Sequence, residues 1–229
     1  MTRQINCIIV AAGSGLRFGS RKPKQFCDLA GRPLLMTTVE RMRKALPDAR
    51  LLLILNPLWV EPWLQMCREH SFSSPEIIHS GKSRLQSVVN ALNAIHDSED
   101  SISMVHDGAR PLVNPRVVNA VVAAVAYGAQ GAIPCIPLTD SIRQIASDGT
   151  SRAADRTAFR AVQTPQAFPT ALLKQAYSMP LTPQMTDDAS VMEAAGYTDI
   201  RIIDGDPQTI KITHASDLTL AEQLMRHDS

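Results

Sequence analysis

Hydrophobic positions in this chain fall into short, nearly unbroken runs, separated by longer stretches in which they recur every three or four residues. The runs Ile5 to Ala11, Leu51 to Leu55, Glu76 to His79, Ser101 to His106 and Gly131 to Ile136 are rich in β-branched residues and predict strands. Helical periodicity fills most of the gaps. It is clearest from Lys82 to His96, where Leu85, Val88, Val89, Leu92 and Ile95 make one apolar face and Ser80 or Gly81 stands at the expected cap. Pro33 and Pro115 suit the first turn of two further helices, where the missing N–H of proline has no partner to lose.

Strands that are apolar throughout and alternate with helices predict an α/β fold, a doubly wound, mostly parallel, Rossmann-like sheet covered on both faces. Ligands bind such a sheet beyond the carboxyl ends of its strands. Two polar segments leave predicted strands at that edge: the loop that begins at Ala11, and His106 to Pro111, HDGARP. The chain has 229 residues, 45% of them hydrophobic, which suits one larger domain spanning residues 1–229. Leu138 to Arg160 breaks the alternation, with the short runs SIRQIA and FRAVQ on either side of a polar middle. A structureless loop of this length is unusual in a compact domain, so a β-hairpin arm at about 138–160 is expected, packing on a partner such as a second subunit.

Charge and cysteine content narrow the function classes. Lys plus Arg is 23 against 22 for Asp plus Glu, a net charge of +1, so no global field draws the chain to nucleic acid or to a membrane surface. Anion recognition has to be local. Cys7, Cys27, Cys67 and Cys135 lie far apart, in no zinc or disulfide spacing, and read as reduced, mostly buried thiols. Polar residues from Met1 to Asn6 lead straight into a strand, without a signal-peptide pattern or an apolar run able to cross a bilayer; a cytoplasmic location is the expectation.

Local anion chemistry is concentrated in AAGSGLRFGSRKPKQ, Ala11 to Gln25. Gly13 and Gly15, on either side of Ser14, permit backbone angles closed to other residues, and successive N–H groups in such a turn form an anion nest. Arg17, Lys22 and Lys24 supply positive charge, with Lys22 assigned to solvent. The loop is not a dinucleotide fingerprint, whose third glycine is replaced by Phe18, and the chain contains no P-loop. A glycine turn with a few charges is commonly just solvated; Arg17, Pro23, Lys24 and Gln25 together shift the reading to a polyphosphate cradle.

Asp107, at a predicted strand end, suits a Mg²⁺ ion or a ribose hydroxyl, or simply a turn. Arg110 would keep it ionised, or form a weak surface pair. Lys211 sits in the expected strand Thr209 to Thr213 and points opposite to Ile210 and Ile212, into a cleft or into solvent. Thr186, Asp187 and Asp188 open a helix that continues to Ala195, where a cap worth about 1 kcal/mol needs no function. The histidines lack metal-ligand spacing and no nucleophile elbow is present. Phosphoryl or nucleotidyl transfer needs none, because an acceptor phosphate with a second pKa of about 6 attacks directly.

These segments together resemble the 2-C-methyl-D-erythritol 4-phosphate cytidylyltransferases of non-mevalonate isoprenoid biosynthesis. The resemblance covers nearly the whole length and rests on AAGSGLRF, KPKQF, GKSRLQSV, VHDGARP, ADRTAF with QTPQ, TDDAS and IKIT, in that order. It implies Mg²⁺-dependent transfer of CMP from CTP to methylerythritol 4-phosphate, with release of pyrophosphate. It further implies that Arg17, Lys24 and Lys211 act at the phosphates, and that Ala11, Ala12, Gly13, Ser14, Gly15, Gly81 and Ser87 bind the nucleotide. Asp107 would serve ribose and metal, and Arg110, Ser141, Arg156, Thr164 and Thr186 the acceptor. The arm would cross to a second subunit in a homodimer, so that Arg156 completes the neighbouring site. Three positions depart from the family pattern: Ser141 where threonine is usual, Phe159 where tryptophan is frequent, and Lys82 where an acidic residue is common. A ribitol 5-phosphate cytidylyltransferase shares most of these segments, differing mainly in the arm, and a non-catalytic nucleotide-binding dimer is the reading from another class.

Overall fold

The structure is a computed structural model that describes residues 3–13, 22–96 and 99–227. Its first six strands are β1 (Gln4–Val10), β2 (Asp28–Leu29), β3 (Arg32–Pro33), β4 (Arg50–Leu55), β5 (Glu76–His79) and β6 (Ser101–Asp107). The other six are β7 (Gly131–Pro137), β8 (Ile142–Ile145), β9 (Ser151–Ala154), β10 (Arg160–Val162), β11 (Gln166–Pro169) and β12 (Ile200–Asp204). Seven helices accompany them among the described residues: α1 (Leu34–Ala45), α2 (Val60–Glu69), α3 (Arg84–Asn93), α4 (Pro115–Ala126), α5 (Thr170–Tyr177), α6 (Asp188–Ala194) and α7 (Ala215–His227).

Hydrogen-bonded neighbours in the main sheet run β7, β11, β6, β1, β4, β5, and β7 also pairs with β10 and β12. The half around β1 is parallel, with Ile8 opposite both Leu52 and Val105. β11 is inserted antiparallel between β6 and β7, and β10 is antiparallel as well. Helices cover both faces, as the apolar runs predict. Along β1, Cys7 and Ile9 pack with Val39, Trp63 and Val121, while Ile8 turns to the other face with Leu52, Val88 and Leu173. Full burial stabilises such a side chain by about 1.5–3 kcal/mol, which explains why central strands tolerate few polar residues.

Several boundaries differ from the sequence reading. Helix α3 starts at Arg84 because Ser83 caps it, accepting from the Gln86 N–H at 3.1 Å, so neither Ser80 nor Gly81 is the cap. Pro115 holds the first turn of α4 behind Asn114, whereas Pro33 ends β3 and precedes α1. The 138–160 segment does contain a hairpin, but the partner of β8 is β9, not the run FRAVQ. The chain reverses at Gly149, which has a φ of +83°, and Asp148 accepts from the Thr150 N–H and hydroxyl. FRAVQ instead forms β10 and extends the main sheet. Thr209 to Thr213 is not a strand. Its groups bond to loops, Ile212 N–H to the Ala109 carbonyl at 2.8 Å and the Thr209 hydroxyl to Leu112, while Asp217 accepts from Thr213 N–H.

Gly108 joins two of the loops at the carboxyl edge. Its N–H donates to the Val10 carbonyl at 2.8 Å, and its own carbonyl accepts from the Thr38 hydroxyl at 2.9 Å. A Cβ there would lie 3.0 Å from the Ala11 Cβ, 3.1 Å from Leu35 Cδ1 and 3.1 Å from the Val10 oxygen. Gly108→Ala is therefore expected to cost about 1–3 kcal/mol of stability, as overpacked sites do. Urea denaturation measures it, and an unchanged midpoint would contradict this close packing of the β6 exit on β1.

Candidate active site

Three loops leave the parallel strands and meet over the sheet. After β1, the Ala11 N–H continues the ladder to the Ile54 carbonyl at 3.0 Å; after β5, the Ser80 N–H bonds to Leu55 at 2.8 Å. Gly81 then passes over α3 so closely that a Cβ would fall 2.4 Å from Gln86 Cγ and 3.0 Å from the Gln86 backbone carbon. Ser87 fixes this turn from below: its hydroxyl accepts from Gly81 N–H at 3.0 Å and donates to Ser83 O at 2.6 Å. Between the loops lies a cleft of about 320 Å³, lined among others by Ala11, Ala12, Gly13, Lys24, Gly81, Ser87, Asp107 and Lys211. Gly13 is not in a left-handed conformation, and a Cβ on it would meet nothing within 4 Å among the described residues.

Asp107 is the carboxylate among the described lining residues, facing Lys24, Lys82, Arg84 and Lys211. Lys211 Nζ stands 2.7 Å from its Oδ2, Arg110 Nε 3.7 Å from the same oxygen and Arg84 Nε 3.9 Å from Oδ1. The two longer contacts are ion pairs rather than hydrogen bonds. Burial alone would raise the carboxyl pKa, but Lys211, then Arg84 and Arg110, outweigh it and hold it down at about 2. Asp107 is thus an anion at any physiological pH. Lys24 reaches across to the Ile212 carbonyl at 2.6 Å and also lies within the field of Asp217.

Behind Asp107, His106 is wholly buried and ties the β6 exit to the opposite half of the sheet. Its Nε2 meets the Arg110 carbonyl at 3.1 Å, and Nδ1 meets the Thr164 hydroxyl at 3.0 Å. The carbonyl can only accept, which puts the imidazole proton on Nε2 and leaves Nδ1 to accept from Thr164. Burial lowers the His106 pKa to about 4, so the ring stays neutral and carries no charge into the site. The same Thr164 oxygen accepts from the Asp107 N–H at 3.0 Å and so fixes the backbone that carries the carboxylate.

Arg84 escapes the sequence reading, although it lies within GKSRLQSV. Its Nη2 donates to Asp188 at 2.7 Å, and the fully buried Asp188 also accepts from the Tyr177 hydroxyl at 2.6 Å. Burial disfavours the guanidinium charge, but Asp188 and Asp107 more than compensate and hold it firmly protonated. One sequence signal points to this arrangement. Arg84 occupies the first position of α3, where the helix dipole disfavours a cation, so a carboxylate from elsewhere in the fold is called for.

The structure brings Ala11, Ala12, Gly13, Lys24, Gly81, Ser87, Asp107 and Lys211 to one cleft, with Arg110 and Thr164 directly behind Asp107. Thr186 is exposed, just ahead of the Asp187 cap of α6, whose carboxylate accepts from the Ser190 N–H. Ser141 and Arg156 are exposed on the arm side and do not line the cleft of their own chain. Ser14, Gly15 and Arg17 lie outside the described residues. No group of three His, Cys, Asp or Glu side chains gathers to hold a metal among the described residues. The four cysteines are buried and form no disulfide, and burial pushes the Cys7 thiol up to about 12.

A family model described as 2-C-methyl-D-erythritol 4-phosphate cytidylyltransferase matches residues 5–227. A protein of that name from Bacteroides thetaiotaomicron is 38% identical over 219 residues, covering 95% of this chain and 98% of the relative. Another, from Porphyromonas gingivalis, is 38% identical over 227 residues, covering 98% and 99%. The solved structure of 2-C-methyl-D-erythritol 4-phosphate cytidylyltransferase from Thermus thermophilus is similar with a TM-score of 0.73 at 31% identity, over 97% of this chain and 99% of that one. The residues that line the cleft lie inside the matched residues, and the chain belongs to the 2-C-methyl-D-erythritol 4-phosphate cytidylyltransferase family.

Proposed function

We propose that this cleft is where the chain transfers a cytidylyl group from CTP to 2-C-methyl-D-erythritol 4-phosphate. The observation that carries the assignment is the gathering of Lys24, Lys82, Arg84 and Lys211 in the cleft that Asp107 also lines, a local excess of positive charge on a chain with almost none overall. A phosphate oxygen of the acceptor attacks the α-phosphorus, the bond to the bridging β-phosphate oxygen breaks, and pyrophosphate leaves. The acceptor is largely dianionic at neutral pH, its second pKa being about 6, so no protein base or nucleophile is required. Lys24 and Lys211, together with Arg17, neutralise the charge that builds on the phosphates. The Ala11–Gly13 backbone and the turn held by Ser87 take the nucleotide, and Ser14 and Gly15 are assigned to it as well.

Asp107 suits a nucleotide-bound Mg²⁺, which takes one or two carboxylates plus phosphate oxygens and water rather than a full protein cage. Its oxygens face the cleft and stay ionised. When bound, Mg²⁺ would supply electrophilic charge at the phosphates. Thr164 and His106 hold the Asp107 backbone, and Arg110 and Lys211 orient its carboxylate. Four buried free cysteines suit a reducing compartment, in keeping with a cytoplasmic enzyme.

We assign Ser141, Arg156 and Thr186 to the acceptor, with Ser141 and Arg156 serving the cleft of a second subunit. Among the described residues the β8–β9 hairpin pairs only with itself, and Ile145 and Phe159 are 66% and 50% exposed, as befits an arm that packs against a partner. With CTP and Mg²⁺, pyrophosphate release is expected with methylerythritol 4-phosphate and not with ribitol 5-phosphate; release with ribitol phosphate alone would overturn the acceptor. Mixing inactive Lys24→Ala and Arg156→Ala proteins under subunit exchange should restore about a quarter of wild-type activity, because mixed dimers contain one intact composite site. No recovery would contradict an arm acting in trans.

A further inference from the structure

The turn Lys24–Phe26 faces three ways. Lys24 crosses to the Ile212 carbonyl, Phe26 is buried and stacks on Trp59 with ring centroids 5.2 Å apart, and Gln25 turns towards the first loop. Gln25 is only 4% exposed, unusual burial for a polar side chain at a cleft wall. Its Nε2 donates to the Ala11 carbonyl at 2.7 Å and to the Gly13 carbonyl at 3.1 Å. Both N–H bonds of one amide are therefore spent on the backbone that lines the cleft, 14 and 12 residues away in sequence.

Those two carbonyls matter because of what the cleft binds. A carbonyl dipole aimed at a polyphosphate repels it, whereas backbone N–H groups attract it. We propose that Gln25 is a positioning residue for the nucleotide: it turns the Ala11 and Gly13 carbonyls away from the ligand and locks this backbone to the turn that carries Lys24. The anion-binding loop and the cation beside it then move as one unit, anchored in the core through Phe26. The inference rests on reading the cleft as the CTP site.

Two substitutions separate this role from simple packing. Gln25→Glu keeps the shape but has no donor when ionised and one donor when protonated, and its burial shifts that protonation towards neutral pH. Gln25→Met has none at any pH. Relative to wild type at the same pH, Gln25→Glu should raise the KM for CTP by about tenfold at pH 8, where both donors are gone, and recover towards wild type at pH 6, where one returns. Gln25→Met should show the increase at both pH values, and the acceptor KM should stay within about twofold in both variants, since uniform binding is lost only for the nucleotide. Wild-type KM for CTP in both variants would overturn the role. So would a rise in both KM values that follows thermal stability rather than pH. A wild-type protein inert towards CTP would instead overturn the assignment of the cleft.

Discussion

One partly buried carboxylate, Asp107, organises this site. Asp107 ends the central strand β6 and is too enclosed to be left unneutralised, so cations arrive from three separate parts of the chain: Arg84 from α3, Arg110 from its own loop and Lys211 from the segment ahead of α7. Charge attraction alone would leave long side chains in many arrangements. The fold restricts two of them by anchoring them from behind, Arg84 through Asp188 and Tyr177, Arg110 through the Thr209 carbonyl at 2.8 Å. The result is a cationic cleft whose charges are already oriented before a polyanion enters, so little reorganisation is needed at the moment of transfer.

Neutral side chains do the remaining positioning. Thr164 holds the Asp107 N–H, Ser87 holds the Gly81 turn, and Gln25 holds the Ala11 and Gly13 carbonyls. Each bridges residues that are distant in sequence or turn sharply, and none adds charge to a site already crowded with it. His106 belongs with them, because burial keeps it neutral at physiological pH. In the proposed reaction the lysines and arginine would meet the phosphates, while hydrogen-bonding residues fix the backbone between them.

Much of this was legible in the chain. The five predicted strands exist because buried parallel strands must be apolar on both faces, and the binding edge follows from the same topology. What stayed hidden depends on long-range partners. The sequence of Thr209 to Thr213 alternates like a strand, yet its hydrogen bonds go to loops; even so, Ile212 is buried and Lys211 turns the other way to Asp107. SRAA, a weak strand former, pairs with β8 because the turn at Gly149 brings it there, while the more apolar FRAVQ joins the main sheet. Arg84 went unassigned as a site residue because its partners, Asp107 and Asp188, are 23 and 104 positions away.

The central place of Asp107 is open to direct measurement. Asp107→Asn preserves the shape but removes the charge around which Lys211, Arg84 and Arg110 gather. Turnover of CTP with methylerythritol 4-phosphate at saturating substrate, in protein verified as folded by circular dichroism, is the quantity to compare. A fall of about 100-fold or more is the predicted result, the scale of losing a preorganised electrostatic contact. Turnover within a few-fold of wild type would contradict it.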